Sequence, residues 1–89
     1  MQRNDLRLIE LAFDYVSAET EPQANQVYDQ AAELATEITI FTVWLDLIDY
    51  MEKWNRSREH KSPMSRAGAL QFFSTRQVAI SNIQTKMNQ

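Results

Sequence analysis

Acid–base and nucleophilic chemistry have little to start from in this sequence: it holds one histidine, His60, and no cysteine. His60 falls in the charged run "KWNRSREHK", where it reads as solvated, and a nucleophilic triad would have no other imidazole to use as its base. Gly68 is the single glycine, so there is no Gly-rich phosphate loop. Helical two-metal sites use Glu-x-x-His pairs, and none occurs; a Cys/His zinc site cannot be assembled from one histidine. Carboxylates are better supplied. Asp46 and Asp49 sit one turn apart, and Asp29, Glu33 and Glu37 make a ladder at four-residue steps. With no pocket evident beside them, they read as solubilising charge; the ladder could also present an acidic stripe to a basic groove. The expectation is a non-enzymatic chain with no catalytic residue, no metal and no cofactor.

Contact chemistry is more promising. In "EITIFTVWLDLIDYMEKW", residues 37–54, an apolar line runs through Ile40, Trp44, Leu47, Met51 and Trp54 at helical spacing. Aromatic residues and methionine are enriched where proteins meet, which makes Trp44, Leu47, Tyr50, Met51 and Trp54 the candidate partner-binding set. The plainer alternative is that this line is core. A second set is basic: Lys53, Arg56, Arg58, Lys61 and Arg66 surround Trp54 and are the candidates for contacting phosphates.

Charge is divided along the chain. Residues 1–52 carry Arg3 and Arg7 against eleven acids, a net of −9, while residues 53–89 carry seven cations against Glu59, a net of +6. The two halves should attract one another, and Asp49–Lys53 and Glu52–Arg56 are favourable pairs one helical turn apart. The acidic half would repel a duplex, and no nucleic-acid motif is present. "LQFFSTRQVAISNIQTK" loosely resembles a helix-turn-helix, but its turn would fall on Phe72, Phe73 and Ser74, which is poor turn chemistry.

Three helices should position these groups. The first, 4–18, begins at Asn4 and carries a stripe of Leu6, Ile9, Phe13 and Val16, widened by Leu8, Leu11 and Tyr15. The second, 22–57, opens with a capping box of Thr20 and Gln23 around Pro22. A heptad seam follows through Ala24, Val27, Ala31, Leu34, Ile38, Phe41, Leu45 and Ile48. Unbroken, this helix would be roughly 54 Å long, against a radius of gyration of about 12 Å for a compact chain of this size. Either it breaks, most readily in the β-branched run "TEITIFTV", or it packs on a second copy. The third, 63–87, is expected to use Ser62 as cap and Pro63 as first residue, with Ala69, Phe73, Ile80, Ile83 and Met87 as a stripe that Arg76 interrupts.

The expected fold is all-α: one domain over 1–89, three helices around a long central one, its bundle completed by homodimerisation. The longest uncharged run, Ile38 to Leu45, is too short to span a membrane. The N-terminus does not read as a secretory leader, so a cytoplasmic location is expected. The expected role is a protein-interaction module, a regulator, adaptor or inhibitor, with a nucleic-acid-binding regulator using segment 53–66 as the alternative.

Overall fold

The computed structural model describes residues 3–57, 59 and 62–87, the side chains of 3 and 81–87 excepted. Among the described residues all regular structure is helical: α1 (Arg3–Val16), α2 (Glu21–Leu34), α3 (Ile38–Arg56) and α4 (Arg66–Met87). The all-α expectation holds. The three-helix count does not, because segment 22–57 forms two helices.

The break lies at Ala35–Glu37, the start of the β-branched run. Ala35 leaves helical geometry at φ −90° and ψ 79°, its N–H still bonded to the Ala31 carbonyl, and Glu37 is extended at φ −94° and ψ 133°. Neither glycine nor proline forces the turn. Ala31 and Ala35 are buried where α2 lies on α1, and redirecting the chain there lets α3 fold back onto α1 as well. The remaining β-branched residues stay helical despite their propensity, with the Thr42 hydroxyl donating to the Ile38 carbonyl at 2.8 Å. Folding back replaces the expected rod by a body of 44 × 31 × 20 Å with a radius of gyration of 13.7 Å.

Helix α1 is the hub, touching α2, α3 and α4, while α3 and α4 pack on one another. Its buried face is Leu8, Ile9, Leu11 and Ala12. The stripe is therefore rotated from the expected one, and Leu6 is 52% exposed. A helix covered from several sides needs a broad apolar face, and the residues that widened the expected stripe are its centre.

Trp44 is the largest side chain fully buried in the core. Its indole N–H donates to the Leu8 carbonyl at 2.8 Å, so its one polar atom is satisfied. Phe41 stacks on it at 5.7 Å, and Tyr15 and Tyr28 meet it edge-on at 5.9 and 6.2 Å. Leu47, Met51, Ala69 and Phe73 continue this core toward α4.

Local capping follows the sequence at one helix and departs from it at another. Thr20 caps α2, accepting from the Gln23 N–H, while the Gln23 side chain accepts from the Glu19 N–H. Helix α4 begins three residues later than expected, capped by Ser65, whose Oγ accepts from the Gly68 N–H at 3.1 Å. Ser62 instead gives its carbonyl to the Trp54 indole, and the Met64 N–H donates to Asn55 Oδ1, so 62–65 lead into α4 instead of forming its first turn. No helix among the described residues is long and apolar enough to cross a membrane.

Candidate functional site

The second half of α3 and the first two thirds of α4 run antiparallel in a register readable from three places. Trp54 reaches the linker at Ser62, Tyr50 lies against Phe72, and Asp46 faces Arg76. Each step is four residues on α3, and Phe72 to Arg76 is four on α4, so these side chains line up along one edge of the helix pair.

That edge is a groove of about 510 Å³, within the range of sites that take small ligands or a partner's side chains. Its aromatic wall is Tyr50 stacked on Phe72, centroids 4.5 Å apart, with Trp54 at 6.3 Å from Tyr50. Met64 closes one end, and Arg76 stands at the other with its guanidinium 5.2 Å from the Phe72 ring centroid. The opposite wall is kept low by Gly68, Thr75 and Ala79. A methyl group on Gly68 would lie 3.4 Å from Met64 Cγ and Ser65 Oγ. Arg76 is the one charged residue among the described residues of the lining.

The partner-binding set expected from the sequence is divided by the structure. Trp44, Leu47 and Met51 are buried inside the chain, which corrects their assignment to an exposed surface: the line they form is the one α3 turns toward α1 and α4. Tyr50, at 40% exposure, and the half-buried Trp54 do line the groove. Phe72 and Arg76 were not among the candidates. Two adjacent phenylalanines cannot both face one core, and Phe73 takes the inward place. The arginine that interrupts the apolar stripe of α4 marks the groove side of the same helix.

The described members of the basic set are each paired with a carboxylate of the same chain. Lys53 pairs with Asp49 at 2.9 Å, Arg56 with Glu52 at 3.2 Å, and Arg66 with Glu10 through two hydrogen bonds of 2.6 and 3.1 Å. Arg58, Lys61 and His60 lie outside the described residues. The hydrogen bond and charge of Arg66 hold the Glu10 carboxyl below the usual range, against a smaller opposing effect of desolvation; Glu10 in turn raises Arg66. The acidic ladder is broken by the turn between helices: Asp29 and Glu33 are on α2 and Glu37 precedes α3. Residues 70–86 form continuous helix, which removes the helix-turn-helix reading.

At the far end of the α3–α4 pair, a hollow of about 410 Å³ is lined by Ile40, Val43, Gln77 and Ile80. Ile38 beside it is 81% exposed and Val78 on its rim 60%. The Ile83 and Met87 side chains, the end of the expected stripe, lie outside the described set. Among the described residues no group of three or more His, Cys, Asp or Glu side chains is placed to hold a metal ion. No protein-family model, curated protein or solved structure matches the chain.

Proposed function

We propose that this chain is a non-enzymatic protein-interaction module, a regulator, adaptor or inhibitor, that receives a helix of a partner protein in the α3–α4 groove. The observation that carries this reading is the Trp54–Tyr50–Phe72 wall, aromatic surface left accessible beside a channel of suitable volume. Aromatic anchors in a concave setting are where binding free energy concentrates. The low ridge of Gly68, Thr75 and Ala79 supports a helical occupant, because small residues let helix axes approach to about 8 Å. The test is calorimetric titration with a designed amphipathic helical peptide, repeated on Ala79→Trp, which should plug the channel. Binding by the wild-type chain that is lost in the folded variant supports the reading; no binding by the wild-type chain contradicts it.

Self-association belongs to a different surface in this reading. Ile38 projects beside the hollow that Ile40, Val43 and Ile80 line, and a two-fold axis would seat each copy's Ile38 in the other's hollow. Light scattering over a concentration series should then give a dimer that Ile38→Lys converts to monomer. A monomer at every concentration would remove the dimer. Phosphate binding by segment 53–66 is the weaker alternative, since Lys53, Arg56 and Arg66 already hold carboxylates. It would show as affinity for nucleic acid falling steeply with salt.

A further inference from the structure

Resting on the groove reading, we infer that the partner helix is acidic at a defined place: two apolar side chains one turn apart, then a carboxylate a further turn along, which Arg76 binds. The groove supplies three levels for these groups. Between Trp54 and Asp46 the α3 axis advances about 12 Å, a little over two helical turns. Apolar anchors fit the first two levels, against Trp54 with Met64 and against Tyr50 with Phe72. The third level is Arg76, where the lining changes from apolar to cationic.

Arg76 is poised for such a contact. Its nearest anion is Asp46, with Nε to Oδ2 at 3.8 Å, too long for a hydrogen bond, and both side chains are nearly half exposed. Its guanidinium is instead steadied over the Phe72 ring. An arginine whose closest acid is beyond hydrogen-bond reach can offer a planar pair of donors to an incoming carboxylate. Arg66 shows the contrast: two short bonds to Glu10 leave it already engaged. Among the described lining residues there is no carboxylate, and Asp46 beside Arg76 stays at 3.8 Å, so at this level the lining offers an incoming acid the Arg76 guanidinium.

Three designed helical peptides identical in their apolar face, with Glu, Gln or Lys at the third level, would be titrated into the wild-type chain and into Arg76→Gln and Arg76→Glu. Melting curves would confirm that both variants fold. The wild-type chain should take the Glu peptide about tenfold more tightly than the Gln peptide, equivalent to about 1.4 kcal/mol, and more so at low salt. Arg76→Gln should abolish the preference, and Arg76→Glu should transfer it to the Lys peptide. Equal binding of the Glu and Gln peptides to the wild-type chain, still blocked by Ala79→Trp, would overturn the acidic assignment while leaving the groove reading intact. Failure of all three peptides to bind would overturn both, and a Glu preference that survives Arg76→Gln would move the acid-binding group elsewhere.

Discussion

Trp44 and Trp54 stand on the same helix ten residues apart, and they live in different physical worlds. Trp44 is enclosed by three aromatic rings, its N–H delivered to a carbonyl of α1. Trp54 is half buried, its N–H delivered to the linker carbonyl of Ser62, and one side of it borders the groove. The difference follows from what each helix segment has to lean on. Around Trp44, α1, α2 and α3 converge; around Tyr50 and Trp54, α4 and its preceding linker close over α3, and α4 presents small side chains there. Aromatic residues on one helix thus divide into those that hold the fold together and those left for contact, according to how many neighbours the topology supplies.

The strongest way to break this division is Trp44→Ala. Emptying a buried tryptophan site costs about 3–5 kcal/mol, against a total of roughly 4–13 kcal/mol for a domain this size. The variant should lose most of its far-UV helical signal and its cooperative melt. A well-folded Trp44→Ala with a normal melting temperature would return Trp44 to the surface. Tyr50→Ala and Phe72→Ala should each cost much less, about 1 kcal/mol, the scale of a partly exposed aromatic pair. Their melts should shift by only several degrees while peptide binding in the groove is lost, and a collapse of the fold would place the stack in the core instead.

Glu10 titrates below the ordinary carboxylate range because Arg66 stabilises its charged form. The group therefore contributes stability above its unfolded pKa, and that contribution disappears as the pH falls through the lowered folded value. Both partners are well exposed, so the change in stability should be slight. The check is the Glu10 carboxyl shift in an NMR titration, which should move back toward the ordinary range in Arg66→Gln. An unaltered titration would mean that the pair does not form in solution.

Much of the helical content was legible in the sequence because helix signals are local. Thr20, Pro22 and Gln23 announced the start of α2, and the i,i+4 pairs Asp49–Lys53 and Glu52–Arg56 formed where the spacing put them. The break at Ala35–Glu37 was harder to place, since the heptad seam runs through it without a fault and only weak β-branched propensity argues against continuity. What stops the helix is tertiary: burial of Ala31 and Ala35 on α1 and of Trp44 beyond the turn. The same limit applies to the site. Two apolar lines on α3 were visible, but which faced inward depended on where α1 and α4 would dock. The residues that complete the groove from α4, Phe72 and Arg76, come from a helix whose register against α3 no local pattern encodes.

The most direct single measurement follows both indole N–H signals of the 15N-labelled chain while the acidic amphipathic peptide is added. The Trp54 indole signal should shift progressively and saturate, while the Trp44 signal, locked on Leu8 inside the core, should stay in place. A titration in which Trp44 moves and Trp54 does not would place the contact surface on the opposite side of α3, among the residues buried against α1, and would overturn the groove as the binding site.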